Sequence, residues 1–166
     1  MTEPINPETY RRMTPEERAR LWSAAELLPQ TGPMMLIDEV TAVTDEGASS
    51  RTVIKADCLL VRDGVFASEG LIEIMAQTVG LFAGARSRAA GLDVGPGLLL
   101  GTRRLTFHRE GLRPGDVVDT EAVSVFSDES GLWQFSCRSR IGADPVAEAV
   151  LTLFSPPDDY FDQYRS

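Results

Sequence analysis

Residues 68–91 read S-E-G-L-I-E-I-M-A-Q-T-V-G-L-F-A-G-A-R-S-R-A-A-G, and this stretch decides the fold. Ser68 is a good N-cap, Glu69 stands where the helix dipole favours an anion, and Gly91 after Arg86 and Arg88 marks a C-terminal stop. One long helix is predicted between them. Its apolar residues Leu71, Ile72, Ile74, Met75, Val79, Leu81 and Phe82 point in all directions instead of along one stripe, the pattern of a helix buried on most sides. Such a helix is wrapped by other structure. Glu73 and Gln77, four residues apart, share one face, and Gly80 and Gly84 continue that face with no side chains. A carboxylate in that setting needs a reason.

Outward from the helix, the chain supplies strands. After the loop G-L-D-V-G-P-G, four runs are strand-like: Leu98–His108, Asp116–Ser127, Leu132–Ile141 and Pro145–Phe154. Trp133, Phe135, Cys137 and Ile141 alternate with Gln134, Ser136, Arg138 and Arg140, and Ala147, Ala149, Leu151 and Leu153 form a matching row. The turns at Pro114-Gly115-Asp116, 128–131 and 142–145 make an antiparallel meander. Upstream, residues 1–13 are expected to be poorly structured. Thr14-Pro15-Glu16-Glu17 then opens a short helix, to about Leu27, with a capping box and a proline in its first turn. Strands are expected at Met34–Val43 and, near an edge, Arg51–Ala56, while 59–67 shows no period. The predicted class is α+β, an antiparallel sheet wrapped around one helix, with an N-terminal extension 1–27, a globular domain 28–155 and an acidic tail 156–166.

A chain of 166 residues with 43% hydrophobic content forms one domain with a real core, and a net charge of −9 argues against nucleic acid as partner. No apolar run fits a membrane span or a signal peptide, so a soluble cytoplasmic protein is expected. Cys58 and Cys137 lack the spacing of a metal or redox motif and are expected as reduced core thiols; no metal is expected.

Three motifs in order resemble a known family. L-P-Q-T-G-P-M-M-L-I-D-E-V from Leu28, E-I-M-A-Q from Glu73, and Phe107 with Arg109 followed by Arg113-Pro114-Gly115-Asp116 are similar to segments of the hot-dog-fold 3-hydroxyacyl-acyl-carrier-protein dehydratases (FabZ/FabA-like). The wording around the helix looks closest to dehydratase-like hot-dog proteins of aryl-polyene and polyketide pathways. The resemblance implies a hot-dog fold, and a dimer or larger assembly in which a histidine takes the α-proton of an acyl thioester while a helix carboxylate from the opposite subunit acts on the departing hydroxyl. Glu73 falls on the acid position and Gln77 on the glutamine one turn on. The histidine positions hold Leu59 and Gln30, neither of which can act as a base.

The candidate residues carry bland readings as well. Glu73 is a general acid with Gln77 orienting it, or a hydrogen-bonded carboxylate at a groove. Gln30 and the amides around Ser68 and Gly70 are candidates to hold the substrate thioester, the amides as unpaired donors at a helix start or simply as groups facing water. His108, the only histidine, belongs on a solvent-facing strand side. Arg103, Arg104, Arg109 and Arg113 form a basic cluster, suited to an acidic acyl carrier protein or merely to solubility. The leading expectation is a dehydratase-type protein acting on substrates carried by acyl carrier protein or coenzyme A, with no cofactor beyond the phosphopantetheine of the carrier. It would work as a homodimer or as a heterodimer with a second hot-dog subunit that completes the site. The alternatives are a non-catalytic partner or acyl-binding subunit, and a thioesterase.

Overall fold

The structure is a computed structural model in which residues 3–157 are described. Three short helices, α1 (Pro7–Arg12), α2 (Pro15–Ala19) and α3 (Ala24–Leu27), precede strands β1 (Glu39–Val43) and β2 (Gly47–Val53). A small hairpin of β3 (Val61–Arg62) and β4 (Val65–Phe66) leads into α4 (Gly70–Ala89), followed by β5 (Leu98–Phe107), β6 (Val117–Ser127), β7 (Leu132–Ile141) and β8 (Asp144–Phe154). All six long strands form one antiparallel sheet in the order β1-β2-β6-β7-β8-β5, and α4 lies against its inner face. This is the hot-dog arrangement.

The helix is enclosed as its sequence requires: Leu71, Ile74, Met75, Leu81 and Ala85 are all fully buried. Its stop is also built as expected. Gly91 takes φ +75°, its N–H meets the Arg88 carbonyl at 3.0 Å, and the Leu92 N–H meets that of Ser87 at 2.8 Å. These two bonds form a Schellman motif, which needs the left-handed conformation that glycine adopts most cheaply. The start departs from expectation, because the buried Ser68 hydroxyl donates to the Arg109 carbonyl and α4 begins with no side-chain cap.

The alternating rows fall in register. Trp133 pairs with Leu153, Phe135 with Leu151 and Cys137 with Ala149, and this inner face packs on Phe82 of α4, whose ring meets those of Trp133 and Phe135 edge-on at 5.9 and 5.6 Å. Burying side chains such as Phe135 and Leu151 contributes about 1.5–3 kcal/mol each. Burial pushes the Cys137 thiol up to about 12. Both cysteines are free, but Cys58 is only half-buried and is not a core residue.

Several N-terminal expectations are corrected. Residues 7–12 are helical, because the Asn6 side chain accepts the Glu8 and Thr9 N–H groups and Pro7 fits the first turn. The predicted single helix to Leu27 is two: the Thr14–Glu17 capping box opens α2 and a second box, Ser23–Glu26, opens α3. Only Glu39–Val43 of the run 34–43 is strand. The Arg51–Ala56 strand starts earlier, at Gly47, and lies inside the sheet between β1 and β6. The acidic stretch 158–166 lies outside the described residues.

Candidate functional site

Glu73 sits in the first turn of α4 and lines a groove of about 600 Å³. The other walls are mainly apolar. Met34 and Leu36 come from the segment before β1, Leu59 and Leu60 from the loop before β3, and Val65 from the hairpin, with Arg62 as the lining cation. Leu59 and Leu60 are 53% and 37% exposed, so the position that the resemblance assigns to a histidine presents hydrocarbon to the groove.

Gln77 is 1% exposed and hydrogen-bonded at both ends of its amide. Its Nε2 donates to the Met34 carbonyl at 2.8 Å and to Glu73 Oε1 at 2.9 Å, while its Oε1 accepts the Leu36 N–H at 2.9 Å. The glutamine therefore does two things: it holds the Met34–Leu36 backbone as a neighbouring strand would, and it fixes the carboxylate. The glycines behind it complete the face. A Cβ on Gly84 would lie 2.1 Å from the Leu27 carbonyl oxygen, and one on Gly80 would lie 2.8 Å from Leu28 Cδ2. The helix face bearing Glu73, Gln77, Gly80 and Gly84 is thus a track along which 27–36 runs. Asp38 ties down the far end of that segment, accepting the Val53 N–H at 2.7 Å and pairing with Lys55 at 2.6 Å. Sequence reasoning did not single out Asp38, although it is the aspartate of the L-I-D segment.

Of the other candidates, Gly70 lines the groove and has no room for a side chain, since a Cβ would meet the Phe66 ring at 2.6 Å. Its N–H is already taken by the Ala67 carbonyl at 2.9 Å, and the Ser68 hydroxyl by Arg109, so neither group is a spare donor. Gln30 lies away from the groove lining, with its Oε1 buried and unpartnered among the described residues. His108 is exposed, faces Glu148 at 3.2 Å and is not part of the groove. The four arginines separate into two pairs. Arg103 and Arg104 are exposed on β5, whereas Arg109 and Arg113 belong to the loop after it, where Asp116 lies 3.4 Å from the Arg109 guanidinium and accepts the Arg113 N–H at 2.8 Å. That loop packs on the hairpin at the groove: Phe66 and Leu112 exchange backbone hydrogen bonds, and Gly111 approaches Val65.

Two carboxylates line the groove, Glu69 and Glu73, and of these Glu73 is the one held in place by Gln77, facing a mainly apolar cleft that no histidine lines among the described residues. Such a group can donate a proton to a leaving oxygen or activate a water. Among the described residues no His, Cys, Asp or Glu cluster is arranged to hold a metal ion, and no helix is long and apolar enough to cross a membrane.

Comparison with solved structures places the fold. The dehydratase heterocomplex ApeI:P from Xenorhabdus doucetiae contains a chain that superposes with a TM-score of 0.80 at 23% identity, covering 87% of this chain and 98% of that one. The TT0310 protein from Thermus thermophilus matches with a TM-score of 0.59 at 21% identity over 76% of this chain and all, 100%, of its own. A hypothetical thioesterase from Streptococcus pneumoniae, solved with coenzyme A, matches with a TM-score of 0.54 at 18% identity, over 70% of this chain and 83% of that one. Residues 22–164, nearly the whole chain, match the model of the ApeP-like family, described as ApeP dehydratase. With the wrapped helix, the groove and that match together, this chain belongs to the ApeP-like dehydratase family.

Proposed function

We propose that this chain supplies Glu73 as the acid of a 3-hydroxyacyl-thioester dehydratase whose base comes from a second hot-dog subunit. The observation that carries the reading is the groove's asymmetry: a buried glutamine positions Glu73, while Leu59 stands where a histidine is expected. In the reaction a partner histidine takes the α-proton, the electron pair forms the α,β double bond, and the β-hydroxyl leaves as water with the proton from Glu73. The relative with the 0.80 TM-score comes from a dehydratase heterocomplex, which agrees with a two-chain site. The acyl group arrives on the phosphopantetheine arm of an acyl carrier protein, and Arg109 and Arg113, on the loop packed against the groove hairpin, are the proposed contacts for that acidic carrier.

The test uses a 3-hydroxyacyl carrier protein as substrate. The chain alone should dehydrate it negligibly, since loss of a positioned base costs about two to four orders of magnitude. Adding a histidine-bearing hot-dog partner should restore the rate, and Glu73→Gln should abolish it in the mixture. Enzyme-like dehydration by the chain alone, or full activity of the Glu73→Gln mixture, would overturn the reading. Release of free carrier thiol by the chain alone would favour a thioesterase.

A further inference from the structure

β5 is the outer strand of the sheet on the side away from β1, bonded only to β8. Of its ten residues, all but the two ends are exposed. Leu98–Phe107 contains two arginines and no carboxylate, in a chain whose net charge is −9. Neither Arg103 nor Arg104 makes an ion pair among the described residues, although nearby Arg109, Arg138 and His108 all have acidic neighbours. The strand is also broken between Arg103 and Thr106 by a bulge in which Arg104 takes φ +51°, a conformation a residue with a branched or long side chain adopts at a cost. Arg103 pairs with Val150 on the outer face, and the bulge shifts the phase so that Phe107 turns inward opposite the buried Ala147.

From this we infer that β5 is a pairing edge that selects a different subunit, one whose own edge strand carries carboxylates, and that Arg103 and Arg104 disfavour self-pairing. The inference rests on the two-subunit reading above and names the chemistry of the partner's edge. In a two-fold pair with both helices on the same side, opposed residues share a face, so the axis passes between the two copies of one residue. Centred on Arg103, the two arginines of a self-pair are directly opposite, about 4.5–5.5 Å apart at Cβ; centred on Thr102, they are diagonal neighbours at about 7–8 Å. Both arrangements bring like charges close enough to repel at low ionic strength. An acidic strand converts the same geometry into attraction, a repulsive element against one partner serving as an attractive one for another.

The probe is the chain itself with its edge reversed, Arg103→Glu/Arg104→Glu. Native mass spectrometry separates wild-type pairs, variant pairs and mixed pairs. At low ionic strength mixed pairs should exceed the statistical share by at least about tenfold, and the excess should fade toward 1 M salt as screening shortens to about 3 Å. A statistical mixture at low salt, or no pairing in any combination, overturns the inference. Should the reversal at left-handed Arg104 prevent folding, Arg103→Glu alone gives the same readout with a smaller excess. The masses do not depend on turnover, so an inactive mixture with a wild-type partner would count against the catalytic reading and leave this one standing.

Discussion

Gln77 Nε2 lies 2.9 Å from Glu73 Oε1 and 2.8 Å from the Met34 carbonyl oxygen, so one buried amide locks the carboxylate to the segment that walls its groove. Replacing it with leucine keeps the volume but strands the Leu36 N–H and the Met34 carbonyl. Each buried unpaired group costs about 1–3 kcal/mol, so Gln77→Leu should lower stability by about 2–4 kcal/mol in urea unfolding, with an unchanged m-value. A loss under about 0.5 kcal/mol would mean that the segment is held by other contacts.

Gly84 and Gly80 should respond unequally to alanine. At Gly84 the added methyl meets backbone, the Leu27 carbonyl, whereas at Gly80 it meets the end of the flexible Leu28 side chain. Helix propensity favours both changes by up to about 1 kcal/mol. Gly80→Ala should therefore be near neutral, while Gly84→Ala should displace α3 and cost about 1–3 kcal/mol net, read as a drop in Tm.

Arg18 is 5% exposed and ties the N-terminal helices together. Its guanidinium donates to the Tyr10 and Arg11 carbonyls, pairs with Asp45 at 2.7 Å and lies over the Tyr10 ring at 4.5 Å. Arg18→Ala should cost about 2–4 kcal/mol and make α1 and α2 the first sites of proteolysis; Arg18→Lys, which keeps the charge but loses the planar fork, should recover only part.

Cys137 should steepen the alkaline loss of stability. Burial raises its pKa from 9.0 to about 12, so the neutral thiol favours the fold fully below pH 9, and that contribution falls as pH rises toward 12. Over that window the unfolded chain has lost the proton and the folded chain has kept it, giving a slope of up to about 1.4 kcal/mol per pH unit. Cys137→Ala should remove this slope, measured as unfolding free energy against pH relative to wild type.

The central helix was legible because both its ends and its all-round apolar pattern are local signals, and β7 and β8 because period-two alternation fixes register once two rows face one helix. The runs Leu98–His108 and Asp116–Ser127 were legible as strands too, but bulges hid which of their residues face inward. β5 loses phase between Arg103 and Thr106, so no single alternation describes it. The start of β1 was overestimated because Met34–Leu36 bonds to a side chain, Gln77, where a strand partner was expected. Gly80 and Gly84 were visible as a bare face, but only the fold shows that α3 occupies it. At the site, the sequence brought Glu73 and Gln77 together, and it counted four arginines as one cluster where the fold makes two pairs. Asn6-Pro7-Glu8 carries a local helix-start signal, but the helix it opens is only six residues long and has no apolar period to mark it.

The two ends of the sheet differ in what lies beside them. α2 packs against β1, with Arg18 reaching the turn beyond it, whereas nothing among the described residues pairs with the free side of β5. In the vocabulary of polymer chemistry, pairing through β5 alone makes the molecule monofunctional. A subunit with two open strands can add neighbours at both and grow into a fibre; one with a single reactive end can react once. If β5 is the one strand that pairs, growth through the sheet ends at two chains, and α2 beside β1 is the feature that sets that valence.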